Sequence, residues 1–277
     1  MSRIQDILRK AEQDGSMHRT RGLALPAPAQ WARDERPATL TRAAVAESPA
    51  TGLDPRLVAA HAPQSLAGEQ YRSLRTRIKS AENGRPLRTL IVTSPNKGDG
   101  KSLTAANLAL TMAQEFQQRV LLIDGDLRRP SVHRLFGLRS TSGLSTVLTG
   151  GGVVEDSLVT VPEHRLTILP SGPIPLHPAE LLGSAAMRRV LDTLHTGFDR
   201  ILIDMPPAGP LADVAIASGM ADGILMIVRA GVTKKPAIER ALSGLDESKV
   251  LGLVLNDAGE SGAAYGYGYG PDDYIAD

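Results

Sequence analysis

The chain has 277 residues, 42% of them hydrophobic, with 31 Lys and Arg against 30 Asp and Glu and no cysteine. That length and apolar content suit one α/β domain with an extension, while a formal charge of +1 gives no broad basic field for nucleic acid. Without cysteine, disulfides, iron–sulfur clusters, cysteine-ligated zinc and thiol catalysis are excluded.

Residues 1–14 are charged throughout and lack the apolar stretch of a secretory signal, and no apolar run reaches 18 residues. Residues 1–22 read as a short amphipathic helix. Ser2 and Gln5 form a capping-box pattern, and Ile4, Ile7, Leu8 and Ala11 share one face. A helix this short needs a surface to dock on; a frayed tail is the alternative. Residues 23–63 read as a Pro- and Ala-rich linker, punctuated by Pro26, Pro28, Pro37, Pro49, Pro55 and Pro63.

From residue 64 a helix carrying Tyr71, Leu74 and Ile78 opens a regular alternation. Strand-like runs are expected at 89–93, 120–124, 166–169, 200–204, 223–228 and 252–255, with helical segments such as 102–116 and 184–194 between them. Each run is apolar on both faces, as in a buried parallel strand. The expected fold is α/β, a mostly parallel sheet with helices on both faces and functional groups at the strands' carboxyl ends. The folded domain is expected over 64–258.

The first run leads into Ser94-Pro95-Asn96-Lys97-Gly98-Asp99-Gly100-Lys101-Ser102 and then a helix, the strand–loop–helix context of a P-loop. Its backbone N–H groups, through Leu103, can cradle phosphates at the helix N-terminus. Lys101 is expected to reach the β/γ oxygens, and the Ser102 hydroxyl to ligate Mg²⁺. Two later strands end in carboxylates, Asp124-Gly125-Asp126-Leu127-Arg128 and Asp204-Met205-Pro206-Pro207. Three carboxylates beside a P-loop repel one another unless a cation sits among them, and Mg²⁺ on a nucleoside triphosphate supplies one. The six histidines are scattered, so no other metal site is expected.

These motifs resemble the bacterial tyrosine kinases of the CpsD/CapB type, P-loop autokinases that govern capsule and exopolysaccharide production. Glu69-Gln70-Tyr71-Arg72-Ser73-Leu74-Arg75 is similar to the family's oligomerisation helix, Arg128-Arg129-Pro130 follows the second acidic motif as in the family, and the chain ends in a tyrosine cluster. The resemblance implies Lys101, Asp124 and Asp126 as catalytic groups, with Asp124 meeting the acceptor hydroxyl. It implies Ser102, Asp126 and Asp204 as Mg²⁺ holders, residues 96–103 with Arg229 and Asn256 as nucleotide contacts, and Glu69, Arg72 and Arg75 as ring contacts. It further implies ATP and Mg²⁺ as cofactors, a transmembrane polysaccharide co-polymerase adaptor as activator, a homo-oligomeric ring, a cognate tyrosine phosphatase, and a cytoplasmic location at the inner face of the membrane. The stripe of Glu69, Arg72 and Arg75 reads equally as a solvated helix face.

Residues 259–277 hold Tyr265, Tyr267, Tyr269 and Tyr274 among Gly, Ala and Asp. Such a segment is expected to be flexible and to offer each tyrosine as a phosphorylation site. Four phosphates add roughly −6 to −8 charge, enough to expel the tail from a carboxylate-lined site and release a ring. Two other readings remain. A MinD/ParA-type positioning ATPase shares the fold, but its signature lysine falls at Asn96 here. A nucleotide-binding regulator without kinase activity is the other.

Overall fold

The computed structural model describes residues 44–45, 52–82, 84–115, 118–209 and 212–258. The expected N-terminal helix and the tail tyrosines Tyr265, Tyr267, Tyr269 and Tyr274 lie outside them. The strands are β1 (Ala44–Val45), β2 (Thr89–Thr93), β3 (Val120–Asp124), β4 (Val159–Val161), β5 (Leu166–Leu169), β6 (Arg200–Asp204), β7 (Gly223–Arg229) and β8 (Val250–Asn256). The helices are α1 (Val58–His61), α2 (Leu66–Ser80), α3 (Lys101–Ala113), α4 (Val132–Leu135), α5 (Leu144–Leu148), α6 (Pro178–Leu182), α7 (Ala185–Gly197), α8 (Asp213–Ser218) and α9 (Lys235–Ser243).

The eight strands form one sheet in the order β1-β4-β5-β3-β6-β2-β7-β8. Every neighbouring pair is parallel except β4 and β5. Side chains alternate across the sheet, so a strand buried on both faces must be apolar at every position. In β2, Leu90 and Val92 face one core with Leu122 and Leu202, while Ile91 faces the other with Leu121 and Ile203. The first core is closed by α3, whose residues Thr104 through Ala113 are all buried. The second is closed by residues of α5 to α9, among them Leu144, Leu194, Val214 and Ile238. Among the described residues no helix is long and apolar enough to cross a membrane.

The expected linker over 23–63 ends too late. Leu57 and Ala59 are buried in the same core as α3. Asn107 stitches this segment down: its amide oxygen accepts from the Ala59 N–H at 2.9 Å, and its amide nitrogen donates to the Arg56 carbonyl at 3.2 Å. Gln114 adds a bond to the Ala59 carbonyl at 2.8 Å. Because α1 has only four residues, no periodicity announces it. Together with α2, whose Tyr71 and Leu74 pack on the same core, the segment covers the outer side of α3.

Candidate active site

β2 delivers the chain into the loop 94–100, and α3 begins at Lys101. Gly98 and Gly100 hold φ of 88° and 94°, the left-handed region that favours glycine. At Gly100 a Cβ would also stand 2.0 Å from the Asn256 amide nitrogen. That nitrogen donates to the Asp99 carbonyl at 3.0 Å. Gly100→Ala is therefore strained in backbone by roughly 1–2 kcal/mol and must also displace Asn256. The expected outcome is about a tenfold loss of nucleotide affinity in a titration. Unchanged affinity would show that the loop conformation does not matter to binding.

Parallel pairing sets Asp124 of β3 directly beside Asp204 of β6. Both are fully buried; Asp126, two residues on, is nearly so but lines an open cleft. The ammonium of Lys101 lies 2.8 Å from Asp126 Oδ2 and 3.4 Å from Asp204 Oδ1. The cation among the carboxylates is thus supplied by the chain itself. Burial alone would lower the Lys101 pKa, but the charges of Asp204 and Asp126 outweigh it and hold it above the ordinary lysine value. Burial pushes Asp204 up, against the pull of Lys101 and a bond from the Ser102 hydroxyl. Asp124 is pushed up to about 7, first by burial and then by the charge of Asp204.

The oxygens of these carboxylates divide into committed and free. Asp124 Oδ2 accepts from the N–H groups of Ser131 and Val132, both at 3.0 Å, and so fixes the start of α4. Asp126 Oδ1 accepts from the Arg129 N–H at 3.0 Å. Asp124 Oδ1 and Asp204 Oδ2 are buried with no hydrogen-bond partner. Orphaned buried carboxylate oxygens beside the Ser102 hydroxyl are the hard-oxygen donors that Mg²⁺ takes, so the residues present fit that ion.

The cleft has a volume of about 1130 Å³. It is lined by Lys97, Gly98 and Gly100 to Leu103 of the phosphate loop and start of α3, by Asp126, and by Arg128 to Ser131 and His133 to Leu135, with Ile174, Pro206 and Pro207 also on its wall.

The family model described as ParA: NUBPL iron-transfer P-loop NTPase matches residues 87–256. The tyrosine-protein kinase YwqD of Bacillus subtilis (strain 168) is 40% identical over 220 residues, which is 78% of this chain and 92% of YwqD. The chain belongs to the bacterial tyrosine-protein kinases. The crystal structure of the chimerical protein CapA2B2 superposes on this kinase with a TM-score of 0.69 and 31% identity, covering 74% of this chain and 90% of that one. The kinase domain of Escherichia coli tyrosine kinase ETK gives a TM-score of 0.71 and 28% identity over 79% of this chain and 86% of that one.

The structure of this kinase gathers Lys101, Ser102, Asp124, Asp126 and Asp204 at the carboxyl ends of β2, β3 and β6. Other expected contacts are arranged differently. Asp99 does not face the cleft: it is buried, accepting from the Asn96 N–H at 2.8 Å and from the Thr233 hydroxyl at 2.8 Å. Thr233 in turn accepts from the Arg229 N–H at 3.1 Å. The loop after β7 is thereby tied to the phosphate loop. The Arg229 guanidinium pairs with Asp257 at 2.8 Å, and Arg229 and Asn256 lie on the β7–β8 side, outside the cleft. Asp124, expected to meet an incoming hydroxyl, is fully buried and is not among the residues that line the cleft. On α2, Arg75 donates to the Thr111 carbonyl at 2.9 Å, and Arg72 bonds to Glu69 and to the Pro63 carbonyl. Only Glu69 of that stripe is left largely to solvent.

Sequence reading missed Asp213 and Thr233. Arg128 grips the buried Asp213 of α8 through two bonds, 2.8 and 3.1 Å. Removing the guanidinium leaves a carboxylate buried without a partner, so Arg128→Ala is expected to cost about 2 kcal/mol. A melting temperature lowered by about 4–8 °C is the readout. No change would mean that water replaces the clamp.

Proposed function

We propose that this kinase uses Mg·ATP to phosphorylate its own tail tyrosines, Tyr265, Tyr267, Tyr269 and Tyr274, between subunits, and so regulates exopolysaccharide or capsule synthesis. The observation that carries the reading is the position of Lys101. It stands at the N-terminus of α3, between Asp126 and Asp204, with a glycine-turned loop in front of it.

The transfer is charge management more than covalent chemistry. The backbone N–H groups of residues 97–103 and the N-terminus of α3 receive the phosphates. Lys101 exchanges its carboxylate partners for β- and γ-phosphate oxygens, which opens the floor of the cleft. Magnesium, when bound, would offset charge on the same phosphates, and Ser102 Oγ, Asp126 and Asp204 are the oxygens that would hold it. The tyrosine hydroxyl oxygen forms the new bond to the γ-phosphorus, the bond from that phosphorus to the β–γ bridging oxygen breaks, and ADP leaves. The phenolic proton passes to Asp124 Oδ1, whose pKa near 7 suits a proton acceptor at neutral pH.

The further roles follow from the family resemblance. Glu69, Arg72 and Arg75 are assigned to ring contacts, Arg229 and Asn256 to the nucleotide base. A transmembrane adaptor activates the kinase and holds it at the inner face of the membrane, and a separate phosphatase resets the tail.

Transfer between subunits is tested by mixing unlabelled wild-type kinase with ¹⁵N-labelled Asp124→Asn chains and Mg·ATP. Phosphotyrosine on the labelled chains is the expected result. Phosphotyrosine confined to unlabelled chains at every mixing ratio would contradict the reading.

A further inference from the structure

The cleft holds more cationic groups than its phosphate chemistry engages. Arg56, Lys97, Lys101, Arg128, Arg129 and Arg134 all line it. Three of them are committed within the chain: Arg56 to Asp54 at 2.7 Å, Lys101 to Asp126, and Arg128 to Asp213. Lys97 belongs to the phosphate loop. Arg129 and Arg134 are exposed, and neither forms an ion pair among the described residues.

Their backbone is nevertheless fixed. The Arg129 N–H bonds to Asp126 and the Arg134 N–H to the Ser131 carbonyl at 3.1 Å. Asp124 clamps the residues between them. These two guanidinium groups therefore project from a rigid frame on the β3–α4 wall, away from the β7–β8 side assigned to the nucleotide base.

The same cleft carries an apolar edge. Ile174 lines it and is 65% exposed, and Leu176 beside it is 93% exposed. The loop bearing them is pinned at its base, where Leu144 and Ser145 bond to the Pro170 and Pro173 carbonyls at 2.8 and 2.6 Å. Pro173 and Pro175 stiffen it further. Guanidinium groups fork onto carboxylates and stack on aromatic rings, and an apolar edge receives the flat face of a phenol. This surface fits an acidic peptide that presents a tyrosine.

The chain contains such a peptide. Residues 259–277 have four carboxylates and no Lys or Arg, and Asp272 and Asp273 immediately precede Tyr274. Tyr265, Tyr267 and Tyr269 have only Gly and Ala as neighbours. The last strand ends at Asn256, which is bonded to the phosphate loop. The 16 residues from 259 to 274 can span up to about 55 Å, enough for a neighbour's cleft. We infer that Arg129 and Arg134 read the acidic flank of the acceptor, which makes Tyr274 the preferred site over the glycine-flanked tyrosines. This rests on the autokinase reading and adds to it a basis for choosing among the four tyrosines.

A charge-swap cycle in the full chain tests it. Early phosphate on each tyrosine is counted by tandem mass spectrometry in wild type, R129E/R134E, D272K/D273K and the fourfold combination. Wild type is expected to fill Tyr274 about tenfold faster than the others, an effect that weakens in high salt. Either pair alone should abolish the preference, and the combination should restore it, which a merely structural role for the arginines would not produce. Even filling of all four tyrosines in wild type, or a preference untouched by the swaps, would overturn this inference and leave the kinase reading standing. A tail with no phosphotyrosine in any of the four proteins would overturn both.

Discussion

Lys101→Met is expected to lower tail phosphorylation about 10³-fold and to destabilise the fold at the same time. The ammonium serves two partners that cannot do without it. Taking it away leaves Asp126 and Asp204 buried without a counter-charge, which costs about 3 kcal/mol near neutral pH. For a domain of this size that lowers the melting temperature by about 6–12 °C. The pH dependence has a definite sign. The Asp204 carboxyl already sits above the usual carboxylate range because of burial. Without Lys101 its charged form is disfavoured further, so the folded protein holds that proton more tightly than the unfolded chain does. Destabilisation therefore grows as pH rises from 5 to 8 and shrinks toward pH 5. Melting curves of both proteins across that range check it. A melting temperature equal to wild type at pH 8 would show that the ammonium does not offset the buried carboxylates.

Asp124→Asn is expected to act in the opposite direction on stability. Phosphoryl transfer should fall by about 10²–10⁴-fold, because the proton acceptor is gone. The nucleotide-free fold should become more stable. Burial and the charge of Asp204 push the Asp124 carboxyl up to about 7 in the folded state, well above an ordinary aspartate near 3.9. Between those values the folded state binds the proton more tightly, so stability drains away as pH rises from about 4 to about 7 and the loss is complete above it. Asparagine keeps an oxygen for the Ser131 and Val132 N–H groups and carries no charge to bury. A gain of about 2 kcal/mol is expected at pH 8, or about 4–8 °C in melting temperature, with no difference near pH 4. Wild-type transfer rates in this variant would remove Asp124 as proton acceptor. A lower melting temperature at pH 8 would show that the α4 N–H groups need the full charge.

Opposite stability effects from two changes in one site follow from the chemistry. Lys101 offsets charge that the sheet has buried, while Asp124 is itself the charge buried at a cost. A proton acceptor held near pKa 7 is by construction a poorly solvated one.

The sequence discloses some of this and hides the rest for physical reasons. β2, β3 and β6 are legible because strands buried on both faces read as unbroken apolar runs, such as Val120–Asp124. Lys101, Ser102, Asp126 and Asp204 are legible because a parallel sheet collects functional groups at its carboxyl ends. β4 is not, being three half-buried residues that pair antiparallel to β5 and parallel to the two-residue β1. α1 is not, because its segment is held by Asn107, which bonds to Arg56 and Ala59 and lies 48 residues beyond Ala59. Cleft lining is equally invisible: Asp124 and Asp126 are two residues apart, yet Asp126 lines the cleft and Asp124 does not. The ties that shape the phosphate loop join residues far apart in the chain. Asp99 and Thr233 are 134 positions apart, Asp99 and Asn256 157, and Arg128 and Asp213 85. Local patterning carries no trace of such pairs.

The central claim is that the Lys101–carboxylate centre transfers phosphate to the chain's own tail tyrosines. Tandem mass spectrometry of the purified chain after incubation with Mg·ATP tests it most directly, beside Lys101→Met and a protein in which Tyr265, Tyr267, Tyr269 and Tyr274 are all Phe. Phosphate is expected on those tyrosines in wild type and on none of them in either variant. ATP turned over to ADP by the wild-type chain with no phosphotyrosine on the tail would contradict it.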